Sequence, residues 1–547
     1  MQYQTTRNSK KLYSFEEMIR TNIPVSDGYF VPEKMPVLSD TFINELRPLN
    51  FLERAKKIFS VFAPDLDESL ISDIIESAWR DDFELEKLPE SKLLNPYLEN
   101  PAFIFMCNGK TGSYLDFVHS FLLSIIKYLS KKDEKWLLIT NEKNTDIKAM
   151  LGLDFDPEQF TPVIIVNSRN TNNFTLREMQ YIWNEKHFSY NDQEVNKEQE
   201  EILTSDQNRD TTNLEDLSNN KILDFSDDFV EANKLDVFRV KADIREFERI
   251  TETLFQNQEL RAKLQDKNIH LFHMGSLNFA YYIALVMLLI SAYLDLIEAE
   301  VLENDENFIF AFPNNNLDFL YAGILLIELG LPISKFSLTT NRNKSIIEFL
   351  DKGTLKENRK FFNTNTEGLD QIYFPNLEYF IFEIVNRDVD KTKQALEDLS
   401  SNQNETLINI LEDFRNVIQT DSISNKKIKK QISDWYLRTD YLFDPYTALV
   451  FEHLTKTGKI ESSQEKIIIP VIEHPLLSSQ LMAEAIFSKK QTKRKHFNQI
   501  MAMVSEESGL TAPVSALSTT ASPEVIYLEI KDLISKLEEV FLNEEVE

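Results

Sequence analysis

Glycine is scarce in this chain. Eleven residues of 547 are glycine, about 2% where ordinary proteins carry roughly 7%. Enzymes that hold a phosphate on backbone N–H groups use glycine for close approach and unusual backbone angles, so little of that chemistry is available. No Gly-rich phosphate loop and no H-E-x-x-H motif occurs. A single cysteine, Cys107, excludes an intrachain disulfide and a cysteine zinc site, and fits a reducing cytoplasm. Positive charge is short as well. The 59 Lys and Arg against 89 Asp and Glu leave a net charge of −30, which argues against nucleic acid and anionic membrane surfaces as partners. Residues 1–12 hold no apolar run, so no secretory leader is expected there. The longest uncharged apolar stretch, Phe279 to Leu294, is shorter than the roughly 20 residues of a membrane span. It reads as a helix buried in a protein core.

What is present is abundant apolar surface, 42% of residues with 39 Phe. The length calls for two or more domains. Ser14 opens a short helix, and helical spacing continues from residue 50 to 79. Strand-like runs then follow at "AFIFM", "WLLIT", "PVIIVN", "VFRVK", "NIHLFHM", "NFIFAFP" and "KIIIPVI". Most are separated by helical stretches, the alternation of an α/β protein with mainly parallel sheets. Residues 190–233 carry 13 acidic against 3 basic residues and read as a solvated insertion. The expected layout is an N-terminal helical segment over 1–100 and a smaller α/β domain over 101–265 containing that insertion. A larger α/β domain over 266–488 follows. Residues 489–547 hold a basic run (Lys489, Lys490, Lys493, Arg494, Lys495), a linker and an amphipathic helix formed by Val525, Leu528, Leu533, Leu537 and Val540. His270 and His273 are expected in structural roles, and no metal site is expected.

One stretch has the form of a strand feeding a ligand loop and then a helix: "FIFMCNGKTGSYLDFVHSF", Phe103 to Phe121. Motif chemistry alone leaves its purpose open. The order of several blocks does not. "YQTTRN" with "SDGYFVPEKMP", then "CNGKTGSYLDF", "LLITNEKNTDIKAM", "HMGSLNFAYYI", "FAFPNNNLDFLYAGILLIELGLPISKF", "TTNRNKSIIEFLDKG", "TNTEGLDQIYFPNLEYFIFEI", "FDPYTALV" and "VIEHPLLSS" resemble, in the same order, the blocks of the threonine synthase family. That family is a pyridoxal-phosphate (PLP) lyase of amino-acid biosynthesis, which converts O-phosphohomoserine to threonine and phosphate. The resemblance implies its two-domain fold type II, like the tryptophan synthase β-subunit, with a cleft between the domains.

The resemblance also exposes departures. Where the family's "HGPTLAFKD" loop supplies the lysine that bonds the cofactor aldehyde, this chain has Leu115, followed by the retained Asp116. A leucine forms no imine and moves no proton. Lys110, five residues earlier, is the only nearby amine and a poor substitute. The leading histidine of that loop is Asn108. The family's phosphate loop "TGNFG" is here Asn314, Asn315, Asn316, Leu317 and Asp318, with both glycines gone and a carboxylate where a dianionic phosphate would sit. Two family arginines are replaced by Tyr281 and Tyr379. Asn108, Asp116, Asn314, Asn315, Asn316 and Asp318 therefore mark a degenerate cofactor cleft. The reading is a catalytically inactive threonine synthase-like protein without PLP, acting on an unknown protein partner or small ligand. Two alternatives stay open: an active threonine synthase using Lys110, and an enzyme with PLP-independent chemistry in the cleft.

Overall fold

The computed structural model describes residues 1–79, 90–93, 100–140, 144–168, 179, 182, 236–314, 317–356, 359–401, 405–493, 495, 497–513 and 523–542. The acidic segment 190–233 lies outside the described residues.

The chain begins with a small antiparallel sheet of β1 (Tyr3–Thr5), β2 (Asn8–Tyr13) and β3 (Phe30–Pro32). Ser14 starts the helix Phe15–Thr21 through a reciprocal cap with Glu17, and Asn50 starts Phe51–Phe62 through the same arrangement with Glu53. Each cap satisfies two otherwise unpaired groups at a helix start, and the sequence announces both. Strands β4 (Glu90–Leu93), β5 (Ala102–Phe105), β6 (Lys135–Thr140), β7 (Phe160–Asn167), β8 (Asp236–Lys241) and β9 (Ile269–His273) follow. The remaining strands are β10 (Phe308–Pro313), β11 (Ile333–Thr340), β12 (Ile418–Ser422), β13 (Lys466–Val471) and β14 (Glu524–Glu529).

Two larger sheets result. One runs β12-β11-β10-β13-β5-β4 and is parallel except for β4, which pairs antiparallel with β5. The other runs β14-β8-β7-β6-β9 and is parallel throughout. All seven strand-like runs of the sequence fall in these two sheets.

Sheet membership divides the chain differently from the expected domain ranges. Strand β5, expected in the smaller domain, joins the six-stranded sheet, while β9, expected in the larger one, joins the five-stranded sheet. The tail differs too. Val525 and Leu528 lie in β14, which adds to the sheet edge beside β8, and only Leu533–Leu542 is helical. Pairing with β8 makes 524–529 a strand, and the 3-10 turn Ile530–Asp532 breaks the helical spacing ahead of Leu533. Helix Leu533–Leu542 then packs Leu537 and Phe541 against Leu254, Leu260 and Leu264, with Lys263 donating to Glu538 at 3.0 Å. Ahead of these attachments in the chain, helix Phe497–Ser508 sits on helix Ser479–Ile486 of the other half. The C-terminal segment thus spans both sheets.

Helix Phe279–Glu298 is apolar enough by composition to cross a membrane, yet 94% of its most apolar window is buried inside the protein. It packs against helices Phe51–Phe62, Leu115–Leu129 and Asp318–Glu328, and so lies at the centre of the molecule. Burying such a helix is strongly favourable, because each large aliphatic side chain contributes about 1.5–3 kcal/mol.

Candidate functional site

The site forms where three chain segments leave the ends of parallel strands, the usual location for ligands in open α/β sheets. The first segment follows β5. After buried Met106 and Cys107 it forms the loop 108–114 and enters helix Leu115–Leu129. Asp116 organises this loop. Its carboxylate accepts from Thr111 N at 3.0 Å, Thr111 Oγ1 at 2.6 Å and Ser113 N at 3.4 Å. Burial pushes its pKa up to about 6 against the opposing effect of those hydrogen bonds. Gly109 is needed here, since a Cβ would stand 2.3 Å from Asp116 Oδ2. Gly112 has φ +74° and lies against His474 and Pro513. Tyr114 N donates to Ile472 O at 3.0 Å and His474 N to Gly112 O at 2.7 Å, tying the loop to the end of β13.

Leu115 heads the helix and is 1% exposed. Asn108 and Lys110, by contrast, are exposed. The loop directs the leucine inward while the lysine five residues earlier sits at the surface.

The second segment follows β10. Asn314 is buried, its N donates to Thr339 O at 2.8 Å, and its Oδ1 has no partner among the described residues. Asn315 and Asn316 lie outside the described residues. Leu317 has φ +59°, a left-handed conformation costing a non-glycine residue about 1–3 kcal/mol. Asp318 then opens helix Asp318–Glu328 and is 1% exposed.

The third segment joins the head of the central helix to residue 376. Tyr281 OH donates to Asp318 Oδ2 at 2.7 Å, and Tyr114 OH donates to the same oxygen at 3.0 Å. The two phenols lie 2.8 Å apart. Asn376 Nδ2 donates to Asp318 Oδ1 at 3.1 Å and to Tyr282 OH at 3.0 Å. The Asp318 carboxyl is thus held in a buried cage of neutral donors. Burial raises the Tyr282 pKa well above its usual value, with Asp318 adding to the effect. Tyr379 is buried and donates to Leu277 O at 3.1 Å, and its ring stacks on Tyr321 at 4.8 Å.

Around this centre, polar residues hold loops. Asn341 and Asn343 both donate to Asp370 Oδ1, at 2.7 and 2.9 Å. Asp444 caps helix Pro445–Lys456 through Tyr446 N and Thr447 N. Glu378 receives Arg7 Nε at 2.9 Å and Nη2 at 2.6 Å, and Thr6 Oγ1 at 2.5 Å. This last group fastens the N-terminal sheet to helix Leu377–Ile384. His270 stacks on Trp136 at 4.7 Å, and His273 Nδ1 accepts from Gly275 N at 3.3 Å. Among the described residues, no three His, Cys, Asp or Glu side chains are grouped to hold a metal ion.

Tyr114, which precedes Leu115 and Asp116, joins that turn to Asp318, whereas Asn108 and Lys110 are exposed. Sequence reasoning missed Tyr114, which bridges the first segment to Asp318. Nothing about its spacing distinguishes it from a core tyrosine.

Residues 2–79 match the family model described as threonine synthase N terminus. The chain is 21% identical over 402 residues to the threonine synthase of Methylobacillus glycogenes, covering 72% of this chain and 73% of that one. It is also 21% identical over 444 residues to mouse threonine synthase-like 1, covering 80% of this chain and 53% of the relative. In three dimensions it is similar to a PLP-bound threonine synthase from Brucella melitensis, with TM-score 0.69, 16% identity, and coverage of 98% of this chain and 99% of that one. Yeast threonine synthase gives the same TM-score and identity, covering 100% of this chain and 99% of its own. Residues 2–79 thus match the threonine synthase N-terminal family, and the chain as a whole has the fold of solved threonine synthases.

Proposed function

We propose that this protein is a threonine synthase-like pseudoenzyme whose old cofactor cleft is closed by its own side chains, and that it acts in the cytoplasm by binding another protein or a small ligand. The observation that carries the reading is the Asp318 cage. Tyr114, Tyr281 and Asn376 aim their donors at a carboxylate built into the chain. A bound phosphate would meet that buried carboxyl at short range and find its donors already taken, and any charge the carboxyl carries would repel it strongly where water is scarce. Leu115 supplies methyl groups where an aldehyde would need an amine. The residues present do not fit PLP, and no catalytic step is derived through it.

Two features weigh against the alternatives. Lys110 is exposed, so an imine through it would require the loop to reverse against the Asp116 contacts. The buried carboxylates Asp116 and Asp444 and the half-buried Asp370, each raised to about 6 by desolvation, suggest acid–base chemistry at first sight. Each one, however, spends its oxygens on loop and helix-cap donors. The test is a titration of the purified protein with PLP, followed by absorbance, together with phosphate release from O-phosphohomoserine. No absorbance band above that of free PLP and no phosphate release are expected. A saturable band with turnover would establish an active enzyme instead.

A further inference from the structure

A second candidate site lies away from the cleft. Helix Gln258–Gln265 meets the N-terminal sheet and the helix that follows it, leaving a groove of about 360 Å³ bordered by Lys11, Tyr13, Asp27, Gln258, Arg261 and Gln265. That volume is within the range of small-molecule sites, about 300–1,000 Å³.

Arg261 anchors the groove. Its Nη1 donates to Ile23 O at 2.6 Å and Phe255 O at 3.2 Å, and its Nη2 to Thr21 O at 3.1 Å. A guanidinium has five N–H groups, so among the described residues Nε–H and one N–H of Nη2 are left without a hydrogen-bond partner. Arg261 is half-buried and borders the groove. Among the described residues no carboxylate offsets this cation, and burial lowers its pKa. Lys11 is exposed above the Tyr13 ring, 4.4 Å from its centroid. On the same groove stands one carboxylate, Asp27, half-buried and 3.4 Å from Asn8 Nδ2.

The groove therefore presents cationic donors and a carboxylate together, in a protein whose net charge is −30. A plain anion would find Arg261 and Lys11 but also Asp27. A plain cation would find the reverse. We propose that this groove binds a small zwitterion of the α-amino-acid class, its carboxylate on Arg261 and Lys11 and its ammonium on Asp27. The paired N–H edge of an arginine suits a carboxylate geometrically. The proposal rests on the groove alone and stands whether or not the cleft is catalytic.

The experiment is thermal denaturation of the full chain with each proteinogenic amino acid in turn, and with acetate, inorganic phosphate and methylammonium at matched ionic strength. At least one amino acid should raise Tm saturably, because a ligand of the folded state stabilises it by mass action. Acetate, phosphate and methylammonium should not. Arg261 also holds backbone carbonyls, so its replacement would confuse folding with binding. Asp27→Asn and Lys11→Gln avoid this, since both side chains reach solvent. Each should weaken half-saturation by roughly tenfold, the effect of losing one charge-assisted hydrogen bond, with little change in the ligand-free Tm. No response to any amino acid, an equal response to acetate or phosphate, or a response untouched by both variants would overturn the proposal.

Discussion

Replacing Leu115 with lysine puts the amine of the resembled family back where that family carries it, and the structure specifies what should happen. Leu115 is 1% exposed at the head of its helix, so the new ammonium would be removed from water. Buried lysines lower their pKa, in extreme cases to about 6. If Leu115→Lys behaves this way, the folded state binds fewer protons than the unfolded state between that value and the unfolded value of about 10.4. The cost is then full below about pH 6 and shrinks by about 1.4 kcal/mol for each pH unit above it, disappearing near pH 10. At neutral pH it amounts to roughly 4 to 5 kcal/mol, a large part of the 5–15 kcal/mol that holds a typical domain together. Leu115→Met, which keeps volume and apolarity, should cost less than about 1.5 kcal/mol at every pH. Urea unfolding of both variants across this pH range is the assay. A Leu115→Lys variant as stable as the Leu115→Met control, with no pH-dependent difference between them, would refute the reasoning, because the position would then be open to water or already supplied with a counter-charge.

Tyr281→Phe should lower stability by about 1.5–3 kcal/mol, since it removes a donor from the buried Asp318 carboxylate, and urea titration would measure it. Asp116 has its folded pKa raised to about 6 by burial. Stability from that group is fully present below its unfolded pKa of about 3.9 and declines as pH rises through 6, so Asp116→Asn should flatten the stability profile between those values. Leu537 is buried against the five-stranded half. Leu537→Ala should cost about 2–5 kcal/mol of local or global stability, read as faster proteolytic removal of the C-terminal helix. Glu378→Gln should loosen the N-terminal sheet by weakening its hold on Arg7, seen as faster amide exchange in residues 3–13.

Much of the fold was legible because its signals are local. Seven apolar runs of strand length and two capping boxes mark their elements without reference to the rest of the chain. Strands β11 and β12 carry mixed polar residues, "ISKFSLTT" and "IQTDS", and take their identity from pairing with β10 and with each other. Strand β14 is an edge strand with exposed positions, so no apolar face announces it. At the site, Leu115 and Asp318 were legible as departures from a resembled pattern. The cage around Asp318 was not, because Tyr114, Tyr281 and Asn376 come from three distant parts of the chain and meet only after both sheets form. Arg261 and Asp27, the opposed charges of the 258–265 groove, are 234 residues apart in the chain and were invisible for the same reason.

The most direct test of the central claim is borohydride reduction of the full-length protein with PLP, followed by peptide mass mapping. An imine to any lysine held against the aldehyde would be trapped as a stable, stoichiometric adduct. The account predicts only sparse labelling scattered over exposed lysines, with no adduct that saturates at one site. Stoichiometric labelling of one lysine, above all Lys110, would contradict it.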